Sequence, residues 1–426
     1  MSGVCLSVGN MYLSWLLIIV VCVLVLCRFQ LFNSSQMKIL DIYNLPGKWY
    51  SFKCTLVVVF LTIRKFIAHY TAKRDLEPGY GVLSHDFPEE MDKKQSLSED
   101  PKAFDAVYMN GANRIGWYIV VGLARRQLNV DGFLLLKVPG VGLLLSPKLP
   151  DTVLNVDEAE DSSFSSEGLK LTPLQPMTCW WLQYKGMMRL SHNPQKKFQV
   201  QLDARWQSDL GFFNYDTDMP MRSLAKGLSN ETWTKNYFKC LKDHHQTHYE
   251  QFGELTGNVI IDNVDFNINM SAMRDHSFGY RREWKAFHRY ALHIFTLADG
   301  TRGNVGVICI PNMFSRLEIG YVYEKEGSLE PLTDLDFELY QHGENGIPPS
   351  DYGFTFKTGQ KCYEVKVQVE ETTDLYLGLD WEARITESLS RFTVNGVEGW
   401  GVVEWMYAHR SGRRPAGHSQ LAVSLR

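Results

Sequence analysis

The stretch FQVQLDARW, residues 198–206, alternates without a break: Phe198, Val200, Leu202, Ala204 and Trp206 on one side, Gln199, Gln201, Asp203 and Arg205 on the other. Successive strand side chains point to opposite faces, so period two marks a half-buried antiparallel strand. The pattern recurs downstream. Val264, Phe266, Ile268 and Met270 oppose Asp265, Asn267 and Asn269, and Tyr363, Val365, Val367 and Val369 oppose Glu364, Lys366, Gln368 and Glu370. Asp131-Gly132, Asp299-Gly300 and Asn395-Gly396 are dipeptides that tolerate positive φ in tight hairpin turns. The expected fold is therefore mainly β, with two consecutive antiparallel barrels or sandwiches. A helix capped by Asn230 and running to about Phe252 is expected to connect them, with Trp233, Tyr237, Phe238 and Leu241 as its apolar stripe.

Upstream of this body, residues 11–27 (MYLSWLLIIVVCVLVLC) carry no charge and place Tyr12 and Trp15 at one edge. The length suits a spanning helix of ~17–25 residues. No basic residue precedes it, so it reads as an uncleaved single-pass anchor rather than a signal peptide. Arg28, Lys38, Lys48, Lys53, Arg64 and Lys65 follow, which puts the body on the cytoplasmic side of an internal membrane. A second apolar run at 54–63 is too short to span and reads as an interfacial segment lying on the lipid bilayer. The expected divisions are an anchor at 1–30, a juxtamembrane segment and linker at 31–104, a first β domain with the connecting helix at 105–253, a second β domain at 254–410 and a disordered tail at 411–426.

A net charge of -4 over 426 residues gives no basic field for nucleic acid. Aromatic residues reach 13%, which suits both strands and the walls of an apolar ligand cavity. Cys179, Cys240, Cys309 and Cys362 form no CxxC pair and read as reduced core residues. Phosphate-loop, nucleophile-elbow and kinase signatures do not occur, and no cofactor is expected.

The densest polar segment is RDHSFGYRREW, residues 274–284. Asp275 and His276 are the candidate catalytic pair, since a carboxylate can fix an imidazole tautomer and the imidazole can move a proton near neutral pH. The competing reading is a hydrogen-bonded plug at a barrel mouth with Trp284 packed beneath. Glu404 lies in GWGVVEWMY on the face shared by Val402 and Met406. If that face is internal, Glu404 needs a basic partner, for which Arg274 and Arg282 are candidates. Arg274, Arg282, Trp284, Glu404 and Trp405 are the candidate ligand-binding residues. His244, His245 and His248 form HHxxH on the expected helix, but no HExxH or nearby cysteine completes a zinc set, so no metal is expected.

Four segments together, WWLQYKGMM (180–188), RDHSFGYRREW (274–284), DLDF (334–337) and FTVNGVEGWGVVEW (392–405), resemble tandem lipocalin-like proteins related to bacterial carotenoid hydratases. With ARW (204–206), FNYDTDM (213–219) and HHQTHYEQFGELTG (244–257), the chain is more similar still to the N-terminal region of animal phosphoenolpyruvate-synthase-like proteins, where a membrane helix precedes such a body. The resemblance spans roughly residues 45–410. It implies two lipocalin-like barrels around an apolar, isoprenoid or steroid-like small molecule. In the hydratase relatives an acid protonates an alkene, which would fall to Asp275 and His276. The ATP-binding and phosphohistidine domains of the synthase-like proteins are not in this chain. Three functions stay open: a membrane-anchored binding protein for an apolar ligand, an accessory module partnering a phosphotransferase, or a cofactor-independent hydratase, isomerase or cyclase.

Overall fold

The computed structural model describes residues 37–70, 79–85, 87–157 and 162–413, so the 11–27 segment and most of the tail lie outside the described residues. Two runs of sequential hairpins each close on themselves. The first comprises β1 (Phe104–Ala112), β2 (Tyr118–Arg125), β3 (Val130–Val138), β4 (Gly142–Leu145), β5 (Cys179–Leu190), β6 (Asn193–Gln207), β7 (Gln246–Ile261) and β8 (Val264–Gly279). Each pairs antiparallel with the next, and β8 pairs with β1, His276 opposite Val107. The second comprises β9 (Arg289–Leu297), β10 (Arg302–Ile310), β11 (Phe314–Tyr323), β12 (Leu329–Asp336), β13 (Asp351–Thr358), β14 (Lys361–Leu377), β15 (Ala383–Val394) and β16 (Val397–Ala408), and β9 pairs with β16. Two up-and-down barrels result.

The alternating sets predicted from the sequence fill the interiors. Val200, Leu202, Ala204, Trp206, Ile268 and Met270 join the core of the first barrel. Tyr363, Val365 and Val367 join that of the second, with Phe295 and Trp405. The outer faces that meet are also apolar: Tyr118, Phe133, Leu389, Val402 and Met406 form one cluster, and Phe252, Met273, Ile294 and Ile319 another. Strands buried on both faces explain the near-continuous apolar run of β2 and β3.

Several expectations need correction. Asn230 ends a first helix, α2 (Met221–Ser229), and Thr234 caps a second, α3 (Lys235–Asp243), by accepting from Tyr237 N. Residues 246–261 are strand, not helix. Pairing of β7 with both β6 and β8 satisfies its backbone on each side, and Gly257 lets β6 approach so closely that a Cβ there would lie 2.2 Å from Asp203 O. The β7–β8 turn is Asp262-Asn263, both at positive φ. This hairpin belongs to the first ring, so the domains do not divide at 253/254 but between Gly279 and Arg289. Asp131-Gly132 is not a turn; it lies inside β3. The segment at 84–104 is no free linker either, because Met91 and Asp92 are fully buried against the first barrel. Among the cysteines, Cys179 and Cys309 are buried, whereas Cys362 is exposed.

The run at 54–63 is part of a longer helix, α1 (Tyr50–Tyr70). Val57 and Leu61 pack on Ala225, Trp233 and Tyr237. Buried Lys53 donates to Glu231 O at 2.7 Å. No described helix is long and apolar enough to cross a membrane. The two rings are joined by one described backbone bridge, Asp151 with Tyr376.

Candidate functional site

Period two splits the RDHSFG segment between two environments. Arg274 and His276 point into the first barrel, whereas Asp275 and Ser277 point out of it. The inward pair behaves as the plug. Asp92, held by the 84–104 segment, accepts from Arg274 Nη1 at 2.7 Å, Tyr249 Oη at 2.6 Å, Trp180 Nε1 at 2.9 Å and Met177 N at 2.6 Å. Burial works against the Asp92 charge, but the adjacent Arg274 guanidinium overrides it and holds the carboxyl below its usual range. His276 Nε2 lies 2.7 Å from Asp105 Oδ1, and its Nδ1 lies 3.2 Å from Tyr249 Oη. His276 therefore does not partner Asp275, and neither it nor Arg274 reaches the site described next. Trp405 is likewise excluded, because it faces the core of the second barrel.

The outward residues line a cavity of ≈ 280 Å³ between the barrels, at the small end of the ~300–1,000 Å³ common for small-molecule sites. Its apolar wall includes Phe133, Met273, Trp284, Leu292, Ile308 and Ile319. Asp275, Arg282, Trp284 and Glu404, all predicted from the sequence, meet there. The face of β16 carrying Glu404 is internal, as the alternation required. The partner of Glu404 is neither arginine: Tyr290 Oη donates to it. Directly opposite on β15 stands Glu387, fully buried, with Tyr108 Oη 3.5 Å from both its oxygens.

Two carboxyls opposite each other in a buried ladder cannot both ionise cheaply. Burial, and then the Glu404 charge, pushes Glu387 well above the usual carboxylate range. Burial, opposed by the Tyr290 hydrogen bond, raises Glu404 to about 7. Burial also raises Asp275 to about 6; no described side chain hydrogen bonds to it. The site thus places Glu404 and Asp275, raised to about 7 and about 6, beside a Glu387 carboxyl pushed higher still by burial, and the first two lie in the range in which acid–base catalysis works.

A third group balances the charges. Glu250 accepts from Tyr215 Oη at 3.0 Å and from Asn304 Nδ2 at 2.8 Å, and lies 3.0 Å from His248 Nε2. Burial opposes a charged His248, but the Glu250 hydrogen bond and the Asp275 charge raise its pKa overall. His244 instead lies against Cys240 O and His245 against Asp216, so the HHxxH spacing brings no metal set together among the described residues. Among the described residues no three His, Cys, Asp or Glu could hold a metal ion.

Tyr290, Glu250 and Glu387 were not singled out from the sequence, and His248 was weighed there only as part of the histidine cluster, not for this site. Glu387 had a signal: it and Glu404 stand at equal distances from the Asn395-Gly396 turn, so a two-residue hairpin pairs them. Tyr290 and His248 had none, because their contacts depend on how the two barrels face each other.

The shape is that of a protein assigned as AttH from Nitrosomonas europaea, with a TM-score of 0.50 at 11% identity over 78% of this chain and 100% of that one. This makes the fold lipocalin-like. Kievitone hydratase from Nectria haematococca (TM-score 0.44, 9% identity, 74% of this chain and 91% of that one) and CghA with Sch210972 (0.43, 7%, 76% and 96%) are more distant in shape. No curated protein matches the sequence. The phosphoenolpyruvate-synthase context does not reappear in these matches. Residues 17–407 match the family of unknown function DUF8627, and the chain belongs to that family.

Proposed function

We propose that the chain binds an apolar small molecule in the cavity between its barrels and transfers protons on it, as a hydratase, isomerase or cyclase. The carrying observation is the Glu387–Glu404 pair: two buried carboxyls facing each other across a ladder in a mainly apolar wall, where both cannot ionise cheaply. Glu404 is the acid. Asp275, with its own raised pKa and no hydrogen-bonding side chain, is the complementary base. Tyr290 orients Glu404. A role beside a phosphotransferase draws on the resemblance alone.

The test starts with native mass spectrometry of the full chain to identify co-purifying apolar molecules. The ligand found is then incubated with the protein in D2O. Wild type is expected to place deuterium on ligand carbon, and Glu404→Gln to lose at least ~100-fold of that rate, the scale of one general acid, while still binding. Binding without exchange in wild type would leave a carrier and remove the reaction; no bound or competable apolar molecule would remove both.

We further propose that the ligand comes from the bilayer, because α1 is apolar on two faces. Opposite its packed side, Phe52, Val59, Phe60, Phe66 and Ile67 remain exposed, from 41% to 62%. The helix also reaches the cavity wall: Arg64 Nε donates to Tyr80 O, and Tyr80 Oη donates to the carbonyl of Met219, a lining residue. A spin label on Phe60→Cys, in the full chain reconstituted with phosphatidylcholine and phosphatidylserine, should be relaxed more by oxygen than by a water-soluble nickel chelate. Greater access to the chelate would mean this face meets water.

A further inference from the structure

We propose that Arg282 is the anchor for a carbonyl oxygen, so that the ligand class is an apolar ketone or enone rather than a plain hydrocarbon or a fatty acid. This rests on the cavity being the ligand site and specifies what enters it.

Arg282 is half-buried in the cavity wall and, among the described residues, has no carboxylate in contact. Its Nε and Nη2 donate to Gln246 Oε1 at 3.1 and 2.8 Å, and Nη2 also to Ser277 Oγ at 2.9 Å. Nη1 makes no hydrogen bond among the described residues. The guanidinium is fixed as well as unspent, lying 3.9 Å from the ring centroid of Phe104 and 5.4 Å from that of Trp284. The neighbouring arginine is already committed: Arg126 Nε bonds Asp131 at 3.1 Å. A second orphan donor stands beside Arg282, since the buried indole Nε1 of Trp284 also lacks a partner.

A half-buried guanidinium held in place with one N–H to spare, beside a buried indole N–H without an acceptor, is what a site built to recognise an oxygen looks like. The sign of the charge chooses among oxygens. Asp275 and Glu250 already bring negative charge to this cavity, and Asp275 acts on Arg282 through space. A ligand carboxylate would add another anion beside them, whereas a neutral carbonyl takes the free N–H and leaves the balance unchanged. A carbonyl held there also puts the carbons next to it within a cavity that holds Asp275 and Glu404, where C–H bonds beside a carbonyl are the acidic ones.

The experiment uses the full chain in lipid nanodiscs, with empty discs as blank, and two probes: β-ionone, an isoprenoid enone, and the hydrocarbon of the same skeleton without the oxygen. Wild type should prefer the enone by about 10–100-fold, the worth of one hydrogen bond from a charged donor. The absorption band of the bound enone should lie to the red of its position in hexane. Arg282→Met should erase the preference and leave hydrocarbon affinity unchanged; Arg282→Lys should keep part of it. Equal affinities in wild type, or a preference that survives Arg282→Met, would overturn the carbonyl anchor while the cavity reading stands. Binding of neither probe would instead overturn the cavity reading and this inference with it. If Arg282→Met does not fold, the wild-type band position and Arg282→Lys decide the matter: an unshifted band overturns the anchor.

Discussion

Glu404→Gln should make the protein more stable above neutral pH and leave it unchanged in mild acid. The raised pKa of Glu404, about 7 in the folded chain, exceeds the ~4.3 of a free glutamate. A group of this kind binds its proton more tightly when folded. Its contribution is fully present below the unfolded pKa and is lost as pH rises through the folded one. Wild type should therefore lose on the order of 3 kcal/mol between about pH 4.5 and pH 7.5 from this group alone. Glutamine copies the protonated shape and does not titrate, so the slope should flatten. At pH 8 the variant should melt higher, by roughly 5 °C; at about pH 4, below the unfolded pKa, the two midpoints should coincide. Thermal melts of both proteins across this range give the answer. Parallel curves would show that Glu404 ionises normally, and the proposed acid would be lost with them.

Arg274→Leu should cost about 3–5 kcal/mol, the usual penalty for leaving one partner of a buried ion pair uncompensated. Arg274 and Asp92 are 2% and 0% exposed, so solvent cannot take over from the missing guanidinium. The remaining donors to Asp92, from Tyr249, Trp180 and Met177, are neutral. Adding Asp92→Asn removes the stranded charge and should recover part of the loss. Urea unfolding of wild type, single and double variants measures the coupling. A single variant within ~1 kcal/mol of wild type would show that the pair is not what ties the 84–104 segment to the barrel. Cavity binding by the folded fraction should not change, since this pair lies on the other side of the sheet.

These two variants separate residues that the sequence places side by side. The strands were legible because period two is a local property: FQVQLDARW and the stretch at 363–369 announce their buried faces without reference to anything distant. The same rule already set Asp275 apart from Arg274 and His276. Chemical grouping into one site overrode it, and the barrel puts them on opposite faces. The HHQTHYEQFGELTG segment was misread as helix because capping at Asn230 is locally sound, whereas the evidence for a strand lies in its partners β6 and β8. Asp262-Asn263 lacks the glycine of Asp299-Gly300 and Asn395-Gly396, so the β7–β8 hairpin left no conspicuous mark. Glu404 could be found from alternation alone. Its hydrogen-bonded tyrosine, Tyr290, pairs across the β9–β16 closure, far away in sequence.

Because each ring of strands is complete, the cavity is a seam between two finished objects. A lipocalin-type pocket inside a barrel can widen only by loosening its own ladder or its mouth. Here the walls can part while every strand keeps its neighbours, turning about the edge where Asp151 meets Tyr376. On the proposed reading, ligand entry would exchange apolar contacts between the two outer faces for contacts with the guest. The guest would become a third packing layer, and its size would set the angle at which the two barrels rest. Backbone amides in the walls would stay protected from exchange even in molecules that are open.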